Sequence, residues 1–115
     1  EEIIGNVKDR NIVMCDDMIS TGGTISGAAA LVKSRGAKKI YVGATHGVFC
    51  GTALDKLNEA GLDEVIVTDT IPFSNEARQY KFITVLSIAK LLGEAIRRIH
   101  ENRSLSQMIE EFGDI

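Results

Sequence analysis

Short apolar runs alternate along this chain with segments of helical period. Residues 11–16 carry Ile12-Val13-Met14-Cys15 and read as a buried strand. Residues 24–35 place Ile25, Ala28, Ala29 and Val32 on one helical face, with Gly36 as a C-terminal stop. A second strand is predicted at 39–45. A second helix follows at 52–60, with Ala53, Leu54 and Leu57 inward and Gly61 ending it. Residues 64–68 form a third strand, 71–80 a loop around the only proline, Pro72, and 81–85 a fourth, short strand. The longest helix is expected at 86–100, where Ile88, Leu92, Ala95, Ile96 and Ile99 recur at helical spacing. A last short helix at 104–112 has Ser104 as its cap.

Strands alternating with helices predict an α/β fold, a mainly parallel sheet with helices on both faces. Ligands of such sheets bind beyond the carboxyl ends of the strands. Asp16-Asp17, Thr45-His46-Gly47 and Thr68-Asp69-Thr70 all fall at predicted strand ends.

With 115 residues the chain fits one domain, 1–115, large enough for a hydrophobic core. Its net charge of −3 gives no reason to expect nucleic acid as a partner. Lys33, Arg35, Lys38 and Lys39 cluster around Gly36, where cations suit a helix C-terminus. The two cysteines, Cys15 and Cys50, lack metal spacing and predict a reduced, cytoplasmic setting. No apolar run reaches the length of a membrane span, and no targeting segment is expected.

The chemistry concentrates at the first strand-to-helix junction, Asp16-Asp17-Met18-Ile19-Ser20-Thr21-Gly22-Gly23-Thr24. Glycines let a backbone approach a phosphate closely. Thr21 and Thr24 supply hydroxyls, and the helix that follows offers free N–H groups and the positive end of its dipole. Two adjacent carboxylates repel each other unless a cation or sugar hydroxyls offset the repulsion. Mg²⁺ does so through one or two carboxylates together with substrate oxygens. A P-loop is excluded, because Gly22-x₄-Gly27 is followed by Ala28-Ala29; a dinucleotide fingerprint is excluded because strand two ends Ala44-Thr45-His46, without an acid.

This junction resembles the phosphoribosyl diphosphate (PRPP) motif of the type I phosphoribosyltransferase fold. Gly5-Asn6-Val7-Lys8, Ala44-Thr45-His46-Gly47-Val48-Phe49, Thr68-Asp69-Thr70-Ile71-Pro72 and Leu92-Gly93-Glu94-Ala95-Ile96-Arg97-Arg98-Ile99-His100 extend the resemblance to the C-terminal half of the ribose-phosphate pyrophosphokinases. The resemblance implies diphosphoryl transfer from ATP to ribose 5-phosphate with Mg²⁺, in a homo-oligomer. Asp16 and Asp17 would hold the ribose hydroxyls, directly or through the metal; Ser20, Thr21, Gly22, Gly23 and Thr24 would hold the 5-phosphate. Many relatives carry Asp-Thr-Ala-Gly-Thr over those five positions, so Ser20 replaces a carboxylate with a hydroxyl donor. The N-terminal domain, which in the family carries most of the ATP site, is expected to be absent from this chain, leaving no confident catalytic residue. Ser104 and Ser106 resemble part of an allosteric phosphate site between subunits.

His46 could face the pocket or bond to structure, and His100 is expected at the surface. Three other readings compete. One is a non-catalytic regulatory relative. Another is a receiver domain using Asp16, Asp17 and Asp69, for which the Gly-Gly-Thr loop is superfluous. The third is a transferase that consumes PRPP, for which no base-binding hood is evident.

Overall fold

The structure is a computed structural model that describes residues 3–113, so the first and last two positions of the expected domain, 1–115, lie outside the described residues. Four strands, β1 (Ile12–Ile19), β2 (Ile40–Gly47), β3 (Glu64–Thr68) and β4 (Ile83–Leu86), form one parallel sheet in sequential order. Helix α1 (Gly23–Ser34) joins β1 to β2 and α2 (Ala53–Glu59) joins β2 to β3; α3 (Ala89–His100) and α4 (Leu105–Gly113) follow β4. A single 3₁₀ turn, Ala77–Gln79, interrupts the loop around Pro72. The α/β class and the parallel sheet are as the sequence reads.

Side-chain alternation sorts the sheet into two unlike faces. Ile12 lies beside Ile40, Met14 beside Val42, Val42 beside Val65 and Val65 beside Ile83, all on one face. That face packs on Ile25, Ala29 and Val32 of α1 and Leu57 of α2, which are buried with it in one core. Leu57 is fully enclosed, so Leu57→Ala is expected to cost about 2–5 kcal/mol. Chemical denaturation checks this value.

The helices are less evenly spread than the two-faced arrangement the sequence suggests. Helices α1 and α2 contact each other and so share one face. Val13 on the opposite face is 70% exposed. On α3, Leu92, Ile96 and Ile99 are 54%, 63% and 61% exposed, so its apolar stripe is not covered by the described residues. Its opposite side joins α4 through Arg98, only 5% exposed, which donates to Glu94 and Glu111 at 2.8 Å each.

Hydrogen bonds from Arg97 and then Arg98 hold the Glu94 carboxyl down at about 2. A carboxyl lowered on folding adds stability above its unfolded value near 4.5, and that stability is lost as pH falls toward 2. Helix α3, within which Glu94 bonds Arg97 and Arg98, is therefore expected to lose stability between about pH 5 and 2, and Glu94→Gln to flatten that dependence. Helical circular dichroism against pH tests this; an unchanged profile in the variant would count against the ion pair.

Helix ends follow the expected chemistry. Gly36 adopts φ +89 and closes α1 with Gly36 N–H to Lys33 O at 3.0 Å and Ala37 N–H to Val32 O at 3.0 Å. Ser104 Oγ accepts the Gln107 N–H at 3.3 Å, as a cap should.

Candidate phosphate-binding site

Strand β1 runs three residues past the predicted end at Asp16, because Met18 and Ile19 continue the ladder beside His46 and Gly47. Ile19 is 1% exposed and anchors that extension. The two acids therefore lie within a strand, and consecutive strand residues face opposite sides. Asp16 turns toward the α1 face, where it lines a small open cavity of about 110 Å³ with Ser20, Thr21, Gly22, Gly23 and Thr24. Met18, Ile19 and Ile25 complete the wall. Asp17 lies outside this cavity, on the side of Val13 and Cys15, and donates its backbone N–H to Asp16 Oδ1 at 2.8 Å.

At the cavity floor α1 begins. Its first intrahelical bond runs from Ser26 N–H to Gly22 O at 2.9 Å, no side chain caps the end, and no acid lies in the first turn. The N–H groups before Ser26 have no partner within the helix, and the positive end of the dipole is uncompensated. Gly22 and Gly23 do different work. Gly22 is buried at φ +78, and a Cβ there would lie 3.4 Å from Ala53 O and 3.5 Å from Leu57 Cγ. Gly23 is exposed, and a Cβ there would meet only Thr21 Oγ1, at 3.8 Å. Gly22 thus seats the loop on α2, while Gly23 keeps the cavity open.

The other strand-end residues serve the scaffold. His46 Nδ1 lies 2.7 Å from Thr70 Oγ1, and His46 does not line the cavity. Thr68 Oγ1 donates to Thr45 O at 2.6 Å, tying β3 to β2. Asp69 accepts the Ile88 N–H at 2.8 Å, and this bond holds its carboxyl below the usual range. That acid secures the entry to α3, and His46 and Asp69 form an isolated backbone bridge. His100 is exposed. Among the described residues no three His, Cys, Asp or Glu side chains gather as a metal cage. Asp16 and Asp17, on opposite sides of β1, do not converge as a pair of ligands, and of the two only Asp16 borders the cavity.

The sequence reading quoted residues 44–49 for the family resemblance but gave Val48, Phe49 and Cys50 no role behind the loop. Val48 and Phe49 both donate backbone N–H groups to Ile19 O, at 3.0 and 3.1 Å, and Cys50 N–H donates to Ser20 O at 3.0 Å. The Cys50 thiol also lies 3.2 Å from the Ser20 hydroxyl. Backbone bonding of this kind leaves no side-chain signature from which that role can be read.

A hydroxyl-rich loop at an uncapped helix start offers hydrogen-bond donors to an anion, with one carboxylate beside it. The phosphoribosyl synthetase-associated domain matches residues 2–110. The chain belongs to that family. Ribose-phosphate pyrophosphokinases are similar to it: that of Haemophilus ducreyi is 48% identical over 108 residues, 94% of this chain and 34% of its own length. Those of Rhodopirellula baltica and a Nostoc species are 49% and 48% identical, over 93% and 92% of this chain and 34% and 32% of theirs. The crystal structure of phosphoribosylpyrophosphate synthetase from Mycobacterium smegmatis superposes with a TM-score of 0.83 at 47% identity, covering 86% of this chain and 33% of that one. The chain thus spans about a third of the length of these family members. Family membership leaves the receiver-domain reading without support, in keeping with the use of Asp69 as a structural acceptor.

Proposed function

We propose that this chain is the ribose 5-phosphate-holding part, the C-terminal half, of a ribose-phosphate diphosphokinase with the type I phosphoribosyltransferase fold. The whole enzyme moves the diphosphoryl group of ATP onto the anomeric hydroxyl of ribose 5-phosphate, giving PRPP and AMP. The cavity that joins Asp16 to Ser20, Thr21, Gly22, Gly23 and Thr24 at the start of α1 carries this reading. The α1 N–H groups and the Ser20, Thr21 and Thr24 hydroxyls bind the 5-phosphate. Asp16 orients the ribose hydroxyls from the cavity side, and Asp17 adds a second carboxylate across the strand. Mg²⁺ arriving with substrate would be held by Asp16 on the cavity side and would supply charge neutralisation, with Asp17 adding only its longer-range charge. The relatives bear the enzyme's name, which favours catalysis over a purely regulatory role.

Stabilising a transferred phosphoryl group requires cations around the donor phosphates. The cavity has no Lys or Arg in its wall. The relatives are about three times as long as this chain, and we assign the donor ATP to the remainder of such an enzyme, a cytoplasmic homo-oligomer. Ser104 and Ser106 at the start of α4 belong to a phosphate site shared between subunits. The 115-residue chain, given ATP, ribose 5-phosphate and Mg²⁺, is expected to form no PRPP. Turnover by the chain alone would refute the assignment of donor binding elsewhere.

A further inference from the structure

We infer that Gly47 and Phe49 are positioning residues that set the shape of the phosphate-binding loop, although neither lines its cavity. The inference rests on the ribose 5-phosphate reading for its ligand, and its geometry stands apart from it. Phe49, at +49, is one of three non-glycine residues at positive φ among the described residues. That conformation is unfavourable for a residue with a Cβ, so something must hold it there. Its half-buried ring packs against the core on one side and over Gly47 on the other. A Cβ on Gly47 would come within 2.7 Å of Phe49 Cε2, 3.1 Å of Cζ and 3.2 Å of Val67 Cγ1.

The left-handed turn at Phe49 is what lets the N–H groups of Val48, Phe49 and Cys50 converge on two successive carbonyls, Ile19 O and Ser20 O. Those carbonyls mark where β1 ends and the phosphate loop begins. Any shift of the Phe49 ring is thus passed through its own backbone to residues 19–20, and from there to the hydroxyls of Ser20 and Thr21. Gly22 seats the loop on α2, and the bonds from residues 48–50 fix the segment that leads into it.

A substitution cycle tests this in the full chain. Gly47→Ala is expected to weaken ribose 5-phosphate binding about tenfold by displacing the ring. Adding Phe49→Leu, which removes the ring edge that the new methyl meets, is expected to bring the loss back to the several-fold level of Phe49→Leu alone. Unchanged affinity in a folded Gly47→Ala protein, or no recovery in the double variant, would overturn the inference. Should Gly47→Ala not fold, Phe49→Leu alone is expected to lower affinity several-fold, and parental affinity in it would count as refutation. Amide hydrogen exchange reads the same coupling without ligand. Gly47→Ala or Phe49→Leu should speed exchange over residues 19–25 more than over β3, and equal exchange there would overturn the inference. Failure of the parent chain to bind ribose 5-phosphate would defeat the proposed function, while the exchange result still decides the positioning.

Discussion

Gly22→Val is expected to destabilise the protein by about 2–5 kcal/mol, combining a left-handed backbone penalty with overpacking. The residue sits at φ +78, a conformation that a β-branched side chain strongly resists. It is also buried against Ala53 and Leu57, so the added methyls would push directly into α2. Gly22→Ala keeps only the backbone penalty, because its Cβ would lie at ordinary contact distance, and should cost about 1–2 kcal/mol. Gly23→Ala makes the contrast. Its backbone is in the usual range and its Cβ meets only a threonine hydroxyl, so stability should hardly change while the open cavity is partly filled. Denaturation midpoints measured alongside ribose 5-phosphate affinity separate the two glycines. Equal stability losses at both positions would contradict the division of labour between them.

Asp16→Asn is expected to weaken ribose 5-phosphate binding by about 10- to 100-fold in the presence of Mg²⁺, the scale of losing a charge-assisted hydrogen bond. Asp17→Asn should weaken it less. The ranking follows from strand alternation: Asp16 shares a cavity with the phosphate loop, and Asp17 stands across the strand from it. On the proposed reading that Asp16 also shares the cation, chelating Mg²⁺ should narrow the gap between the parent and Asp16→Asn. Titration calorimetry of the two variants, with and without chelator, gives the order directly. A larger loss at Asp17 would reverse the assignment of roles.

The parallel α/β scaffold was legible because its signals are local. Ile12, Met14, Ile40, Val42, Val65 and Val67 alternate in short runs, and Gly36 and Gly61 punctuate the helices at positive φ. The candidate site was legible as a composition, with its acids, hydroxyls and glycines in one stretch of sequence. Its geometry was not. Asp16 and Asp17 are poor strand formers, so the sequence reading stopped β1 at the first acid, whereas pairing with His46 and Gly47 carries the strand on to Ile19. That extension separates two carboxylates that look equivalent in the sequence. The role of residues 47–50 was hidden because it is performed by backbone N–H groups. The stripe of Leu92, Ile96 and Ile99 shows the opposite limit: periodicity marks an apolar face without saying what lies over it.

The central claim is that residues 20–24, together with Asp16, hold the 5-phosphate and ribose of ribose 5-phosphate. Following backbone amide resonances while ribose 5-phosphate and Mg²⁺ are titrated into the chain tests it most directly. The predicted result is saturable shifts concentrated at Asp16 and Ser20, Thr21, Gly22, Gly23 and Thr24, strongly weakened in Thr24→Val. Saturable binding that leaves those amides unmoved, or shifts that persist at full affinity in both Thr24→Val and Asp16→Asn, would contradict it.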